Sequence, residues 1–175
     1  MKTVAFLNPS LPLIHLQPGD LVFTEKPASV VTVLGSCITV TMFSLWPRCA
    51  GICHAMLSQP PAHHRGPHTP GRFKYLSEAI PFMANHFRKL GIPPHTIEVK
   101  MFGGGNLTAH DRPTGRSGMP IGSANIETAR QLLAAESLTL IAANVGGLLG
   151  RKLIFNTQTG QVMHKHLSRI SQQTE

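Results

Sequence analysis

The sequence predicts an α+β fold in which layered mixed or antiparallel β-sheets are flanked by two or three helices. Runs of strand length outnumber amphipathic runs by about two to one. The helical runs are inserted between strand-like ones without the regular alternation of a βαβ repeat. A chain of 175 residues, 42% of them hydrophobic, can bury one core of ordinary size. We therefore expect a single domain over residues 1–175.

The central prediction is a strand, a bend and a hairpin within residues 30–57. β-branched residues dominate the first strand, and Gly35 is expected to supply the freedom for an unusual backbone bend that presents Cys37. Pro47 marks the reversal of the hairpin, so the returning strand delivers His54. A cysteine and a histidine on adjacent strands are a candidate nucleophile and base.

Two amphipathic runs are predicted to be helices. The first covers residues 74–90, ends before Gly91, and carries an interior proline, Pro81, at which we expect a kink or the start of the regular part of the helix. The second covers residues 123–135 with Ser123 as its N-cap. The side chains predicted to face the core are Leu76, Ala79, Ile80, Met83, Phe87 and Leu90 in the first helix, and Ile126, Ala129, Leu132 and Leu133 in the second.

The remaining segments are short strands, turns and loops. Three glycines, Gly103-Gly104-Gly105, are expected to let the backbone turn sharply or approach another segment closely. Polar loops are predicted at 58–71 and 108–120, and an irregular lead-in with one short strand at 11–25. The predicted strands outside the central hairpin are 21–23, 96–102, 138–145, 151–155 and 161–166, of which the last two form a closing hairpin.

Composition and charge restrict the class of protein. The formal net charge of +8 should attract acidic partners, but a single Trp and a single Tyr argue against a base-stacking platform for nucleic acid. No apolar run approaches the roughly 20 residues of a membrane span, and Asn8-Pro9 cuts short the apolar N-terminal run. We expect a cytoplasmic protein without nucleic-acid binding or membrane insertion, whose three cysteines remain thiols.

Cys37 and His54 suit nucleophilic catalysis. The thiolate is the reactive form of cysteine, so a catalytic cysteine needs a base or a positive field beside it. The two residues are 17 positions apart, and a hairpin with its apex near 45–47 brings them within a few residues of opposite positions. Backbone N–H groups freed at the bend could hold an oxyanion. Because cysteine is more often a buried small residue, spacing alone leaves this pair a hypothesis.

A metal site is the alternative to this pair. Zinc ligands usually come as closely spaced pairs, and that spacing is missing here. Cys49 and Cys53 on one extended strand would face the same way but lie about 13 Å apart at roughly 3.3 Å per residue. We therefore expect no functional metal, although the His-rich loop could bind a transition metal adventitiously. The candidate ligands are Cys49, Cys53, His54, His63, His64 and His68.

The motif around the candidate pair resembles the signature of the CheD family, the chemoreceptor glutamine deamidases of bacterial chemotaxis. Residues 32–37 read Thr-Val-Leu-Gly-Ser-Cys, and residues 51–57 read Gly-Ile-Cys-His-Ala-Met-Leu. The likeness extends along nearly the whole chain. The other matching segments are 16–20, 74–75 with 79–81, 102–105, 121–122 with 125–126, and 145–147 with 150–152.

The resemblance implies a cysteine amidohydrolase that converts glutamines of methyl-accepting chemotaxis receptors to glutamate, with a fold similar to that of the cytotoxic necrotizing factor toxins. Matched to the family motif, Cys37 would be the nucleophile, His54 the general base and then acid, and Thr32 the residue that orients His54. The resemblance implies no metal or organic cofactor. Its partners would be the helical cytoplasmic domains of chemoreceptors, with a CheC-type phosphatase as a further candidate.

Two other function classes stay open at the level of sequence. The first is a non-catalytic adaptor that docks on chemoreceptors or on a CheC-type phosphatase. The second is a domain that binds metal or nucleic acid.

Overall fold

The computed structural model describes residues 9–61, 71–107 and 118–167. None of the helices in these ranges combines the length and the apolar character needed to cross a membrane. The helices are α1 (Leu76–Lys89) and α2 (Ile121–Ala135). The strands are β1 (Leu13–His15), β2 (Leu21–Thr24), β3 (Ser29–Leu34), β4 (Ile38–Leu45), β5 (Arg48–Ala55), β6 (Glu98–Gly103), β7 (Leu140–Val145), β8 (Arg151–Asn156) and β9 (Val162–His166).

These strands form two mixed sheets. The four-stranded sheet has the order β1-β3-β8-β9, and the five-stranded sheet has the order β2-β5-β4-β6-β7. The β1–β3 and β6–β7 pairs are parallel. The other pairs are antiparallel. The predicted α+β class with layered mixed sheets is thereby confirmed.

The five-stranded sheet is the middle layer of the fold. On β5, Cys53 packs in one apolar core with Phe87 of α1, whereas its neighbour Ile52 packs in a second core with Phe155 of β8. Successive residues of a strand point to opposite faces of a sheet. The helices therefore cover one face of the five-stranded sheet, and the four-stranded sheet covers the other.

The central hairpin is confirmed, but the strand before it belongs to the other sheet. β4 and β5 pair antiparallel up to Leu45 and Arg48, so the turn lies at Trp46-Pro47 as predicted. β3 pairs instead with β1 and β8. Residues 35–37 therefore carry the chain from one sheet to the other, and Cys37 lies at that crossing.

Both helices form, with three corrections. The first helix begins at Leu76 and runs through Pro81, so the expectation that its regular part starts nearer to the proline is wrong. Leu90 is the C-cap and is 41% exposed, so its predicted core-facing position is wrong. Ser123 is not the N-cap of α2: Pro120 is, and a Cβ at Gly122 would lie only 2.5 Å from the Gly104 carbonyl oxygen. The helix therefore begins at Ile121 rather than at residue 123, and its first turn packs closely against Gly104.

The other inward-facing helical positions are confirmed. In α1, Gly91 follows the C-cap with a left-handed φ of 72°, as expected for a terminating glycine. In α2, Ala129 and Leu133 are buried, and Ile126 and Leu132 pack at the margin of the same core. The five predicted core positions of α1 that are buried are Leu76, Ala79, Ile80, Met83 and Phe87.

Strands β2 and β6 to β9 lie within a few residues of their predicted positions. β1 was not predicted as a strand, since it has three residues and, among the described strands, pairs with β3 alone at the edge of its sheet. Most of the two predicted polar loops falls at residues 62–70 and 108–117, outside the described residues.

Candidate active site

Thr32 and His54 come from different sheets and meet in the space between them. Thr32 lies on β3 and His54 on β5, and both residues are buried. The Oγ1 atom of Thr32 is 2.8 Å from Nδ1 of His54. This side-chain hydrogen bond therefore joins the four-stranded sheet to the five-stranded sheet at the candidate site.

A second hydrogen bond of Thr32 assigns the tautomer of His54. The Thr32 hydroxyl donates to the Leu16 carbonyl oxygen at 2.9 Å. A hydroxyl has only one hydrogen, so toward His54 it must accept, and Nδ1 must carry the proton. The lone pair of the neutral ring is then on Nε2. Among the described residues, Nε2 is buried and has no hydrogen-bond partner.

The backbone of His54 is fixed by the turn that precedes β2. Its N–H donates to the Asp20 carbonyl at 2.9 Å, and its carbonyl accepts from the Gly19 N–H at 2.8 Å. Burial lowers the pKa of the His54 imidazole, against smaller opposing effects of the Leu16 carbonyl and the charge of Asp20. The ring is therefore neutral near pH 7, as a general base must be.

Cys37 directly precedes β4 and lies diagonally across from His54. Thr39 is the Cα partner of His54 and Ile38 that of Ala55, so Cys37 is two residues before the position opposite His54. Diagonal neighbours on one sheet face have Cα atoms about 7–8 Å apart. Cys37 packs against the apolar core between the sheets, toward which the His54 ring also points. The structure thus brings Cys37, His54 and Thr32 to one region.

The Cys37 thiol is protonated at rest. Burial raises its pKa, and the N–H of Cys37 itself opposes that rise. Burial also raises the pKa of the other two thiols, Cys49 and Cys53, to about 11, with the charge of Glu25 adding to the rise at Cys49. None of the three thiols is a ready thiolate at neutral pH, so any nucleophilic role of Cys37 requires a base.

Glycines bring the backbone close together around Cys37. The Gly104 N–H donates to the Cys37 carbonyl and the Gly105 N–H to the Gly35 carbonyl, each at 2.8 Å. Gly103 and Gly104 have positive φ, and a side chain at Gly103 would collide with the Cys37 carbonyl. The predicted sharp turn and close approach of these glycines are confirmed.

Gly35 begins the bend between β3 and β4 without a left-handed backbone conformation. The predicted bend is found at residues 35–36, but Gly35 is not among the glycines with positive φ, so this backbone conformation does not by itself require glycine. A Cβ at Gly35 would lie 2.7 Å from Cδ1 of Leu107. This contact is with the end of a flexible side chain that can move aside, so the close approach does not make glycine obligatory at this bend.

The sequence analysis missed two polar residues that brace the site. Asn125 is buried in the first core-facing turns of α2, and its amide donates to the Ser36 and Met56 carbonyls. Arg151 is buried and donates to Asn144 Oδ1 and to the Gly146 carbonyl, each at 2.6 Å. A signal existed for Asn125: it continues the inward stripe of α2, where a polar residue indicates a buried hydrogen-bonding role.

The metal hypothesis gains no support from the described part of the chain. Cys49 and Cys53 both pack beneath the helices, whereas His54 points to the opposite face of the sheet. Residues 9–61, 71–107 and 118–167 contain no group of three or more His, Cys, Asp or Glu side chains placed to hold a metal ion. The other candidate ligands, His63, His64 and His68, lie outside the described residues.

Two cavities flank this region. One of about 290 Å³ lies beside Thr32 and His54 and is otherwise lined by residues 15–18, 31 and 33. A more open groove of about 610 Å³ lies between the edge strands β7 and β9 and contains none of the three candidate residues. The smaller cavity therefore gives access to the Thr32–His54 pair from the side of the β1 segment.

Comparison with known proteins gives the family. A family model described as CheD chemotactic sensory transduction matches residues 56–166. A probable chemoreceptor glutamine deamidase CheD 2 of Geobacter sulfurreducens is 44% identical over 93% of this chain and 94% of the relative. A probable chemoreceptor glutamine deamidase CheD of Oleidesulfovibrio alaskensis is 38% identical over 97% of this chain and 79% of the relative.

A crystal structure of the hypothetical protein YfiH of Bacillus licheniformis has a TM-score of 0.45 and 16% identity, covering 71% of this chain and 50% of that one. The two CheD relatives share a much higher sequence identity with this chain, and their alignments cover nearly its whole length. The chain belongs to the CheD family, as its motifs predict.

Proposed function

We propose that this protein deamidates glutamine side chains of chemoreceptors to glutamate, with Cys37 as nucleophile, His54 as base and acid, and Thr32 as the residue that orients His54. The names of its relatives supply the substrate class. The observation that supports the residue roles is the hydrogen bond between Thr32 and His54, which places the imidazole proton on Nδ1 and leaves Nε2 free to accept another.

The first half of the reaction forms a thioester. Nε2 of His54 removes the proton from the Cys37 thiol, and the thiolate attacks the carbonyl carbon of the glutamine carboxamide. The resulting tetrahedral intermediate carries its negative charge on oxygen. When it collapses, the imidazolium of His54 gives its proton to the departing nitrogen, and ammonia leaves.

The second half hydrolyses the thioester. Neutral His54 accepts a proton from a water molecule, whose oxygen attacks the thioester carbonyl carbon. Collapse of the second tetrahedral intermediate expels the Cys37 sulfur, which recovers its proton. The balance is one glutamine and one water converted to one glutamate and one ammonium ion, and no step needs a metal or an organic cofactor.

Thr32 serves this cycle through the ring orientation of His54. Its oxygen accepts the Nδ1 proton both when the ring is neutral and when it is charged, while its own proton stays on the Leu16 carbonyl. The bond holds the ring with Nε2 available in both states. Both side chains are buried, so the hydrogen bond between them lies away from bulk solvent.

The surface charge suits the proposed substrate. A net charge of +8 favours encounter with glutamate-rich helical receptor domains, and those domains place the reaction in the cytoplasm. A CheC-type phosphatase stays a predicted partner. The alternative function is an adaptor that docks on receptors without catalysis, and it predicts no covalent change in the receptor.

Intact-mass analysis of a receptor cytoplasmic fragment tests the proposal. Wild-type protein should raise the fragment mass by about one unit per modified glutamine, since an oxygen and a hydrogen replace NH₂, and Cys37→Ala should cause no shift. Cys49→Ala is the matched control, because Cys49 is buried beneath the helices and should leave the shift in place. Binding of the fragment without any mass shift by wild-type protein would favour the adaptor function.

A further inference from the structure

The amide of Asn125 joins the two strand ends that carry the proposed nucleophile and base. Its Nδ2 donates to the Ser36 carbonyl at 3.2 Å and to the Met56 carbonyl at 2.9 Å. Its Oδ1 accepts from the Ser58 hydroxyl at 3.1 Å. Ser36 immediately precedes Cys37, and Met56 follows His54 by two residues on the chain leaving β5. One buried side chain of α2 therefore holds both segments.

The three carbonyls before and at Cys37 are held by three different segments. The Gly35 carbonyl accepts from Gly105, and the Cys37 carbonyl accepts from Gly104, both through backbone N–H groups. Only the middle carbonyl, that of Ser36, is held by a side chain. A substitution at Asn125 can therefore release the Ser36–Cys37 peptide plane while the two flanking backbone bonds remain.

That peptide plane decides where the N–H of Cys37 points. A planar trans peptide directs its carbonyl and its N–H to opposite sides, and Trp46-Pro47 is the cis bond found in the described residues. With the Ser36 carbonyl directed to α2, the Cys37 N–H is directed away from α2. Cys37 packs against the core between the two sheets, on the face of the five-stranded sheet opposite α2, so this N–H is directed to the side on which the sulfur lies.

We propose that Asn125 is a positioning residue that aims the Cys37 N–H at the oxyanion formed during attack and holds the nucleophile segment to the strand that carries His54. This inference rests on the proposed function, since the oxyanion is the one formed from the glutamine carboxamide. A backbone N–H beside the nucleophile is well placed for this role because the carbonyl under attack lies next to the sulfur.

The test compares Asn125→Leu with Ser58→Ala. Leucine has a similar volume but no donor, so both carbonyls lose their partner. Ser58→Ala is the matched control, because it removes only the third hydrogen bond of the same amide. For folded Asn125→Leu we expect kcat to fall on the order of 10- to 100-fold with KM within about twofold of wild type, whereas Ser58→Ala stays near wild type.

A second readout separates positioning from a loss of stability. The rate of Cys37 alkylation by iodoacetamide is followed against pH, and its midpoint should move to higher pH in Asn125→Leu but not in Ser58→Ala. Folded Asn125→Leu with the kcat and the alkylation profile of Ser58→Ala would overturn the inference. The alkylation profile does not depend on receptor turnover, so it tests Asn125 even where wild-type protein deamidates no fragment.

If Asn125→Leu does not fold, Asn125→Ala is measured in the same two assays. If neither variant folds, the direction of the Cys37 N–H is tested on wild-type protein. The ¹⁵N and ¹H shifts of the Cys37 amide are followed as the thiol ionises. A change larger than that of the neighbouring amides supports an N–H aimed at the sulfur, and an unchanged shift overturns it.

Discussion

The two faces of the five-stranded sheet differ in what they bury. Beneath the helices, buried positions such as Val40 and Met83 form a continuous apolar core. On the face toward the four-stranded sheet, the buried positions include Thr39, Thr41 and His54, and Thr32 reaches across from the opposite sheet. One face therefore gains its free energy mainly from apolar burial, and the other also encloses polar groups that need partners.

The apolar residues of one face are therefore expected to matter mainly for folding stability, and the polar residues of the other face mainly for the reaction. Alternation along β4 and β5 places the two kinds of residue one position apart, so each strand serves both purposes. Substitutions in the apolar core beneath the helices should change the free energy of unfolding with little effect on the reaction per folded molecule, whereas the polar Asn125 of α2 is expected to act on the reaction. Substitutions of the polar pair Thr32 and His54 on the inter-sheet face should instead lower kcat.

The three thiols provide the largest expected contrast. Cys37 at the inter-sheet face is partly accessible, whereas Cys49 and Cys53 are buried beneath the helices, where burial raises the pKa of both to about 11. In native protein at pH 8, iodoacetamide should modify Cys37 first. Cys53 should react at least 10³-fold more slowly, because its labelling requires an opening that costs several kcal/mol.

Peptide mapping after timed alkylation measures this contrast, and alkylation in denaturant, where all three thiols are exposed, is its control. The rate at Cys37 should rise with pH, because deprotonation produces the reactive thiolate. Labelling of Cys53 as fast as that of Cys37 in native protein would show that the helix-covered face opens locally. The expected difference in accessibility between the two faces would then be contradicted.

Phe87→Ala tests the apolar face directly. Phe87 is fully buried in α1 and meets the ring of Phe23 edge-on at a centroid distance of 5.1 Å. Truncation should lower the free energy of unfolding by about 3–5 kcal/mol, measured by urea denaturation. Leu90→Ala is the matched control: this leucine caps the same helix and is 41% exposed, so its loss should cost about 1 kcal/mol or less.

Activity per folded molecule is the second measurement on Phe87→Ala. It should stay near that of wild type, because the proposed catalytic groups lie on the other face of the sheet. A fall in kcat beyond the loss of folded protein would show that the apolar core beneath the helices, and not only Asn125, positions the reacting groups.

Thr32→Val tests the inter-sheet face with little change of shape. The substitution removes both the acceptor for His54 Nδ1 and the donor to the Leu16 carbonyl. We expect kcat to fall by about 10²-fold, since a misoriented base or the wrong tautomer loses most of its acid–base contribution. Thr32→Ser keeps the hydroxyl and should retain most of the activity, and ¹⁵N shifts of the His54 ring should show the tautomer change only in Thr32→Val. Full activity in Thr32→Val would mean that other contacts fix the imidazole.

Local patterns were sufficient to predict much of the fold. The hairpin follows from the β-branched run before Pro47 and the reversal that this proline marks, and its geometry alone places His54 near Cys37. The stripe of α1 identifies its core-facing side because a helix repeats every 3.6 residues. These predictions succeed because the forces that decide them act between residues close in sequence.

The parts that could not be predicted depend on contacts between distant segments. The sequence does not show that β3 and β4 belong to different sheets, because that depends on the pairing of β3 with β8. The Leu16 carbonyl that receives the Thr32 proton is a backbone group, and backbone groups have no sequence signature. The role of Thr32 entered through the family motif, and the hydrogen bonds of Asn125 became visible only with α2 in place.

Thr39→Val is the smallest expected effect and the sharpest comparison with Thr32→Val. Thr39 lies opposite His54 in the β4–β5 pair, and within the described residues its buried hydroxyl has no hydrogen-bond partner. Removing an unsatisfied buried hydroxyl should leave the free energy of unfolding unchanged or raise it by up to about 1 kcal/mol. We also expect kcat within about twofold of wild type. Replacing threonine by valine would then lower kcat strongly at Thr32, which bonds to the His54 ring, and hardly at all at Thr39, which lies opposite His54 in the strand pair. Urea denaturation and receptor deamidation measure the two quantities, and a fall in kcat comparable to that of Thr32→Val would show that the Thr39 hydroxyl contacts a reacting group once substrate is bound.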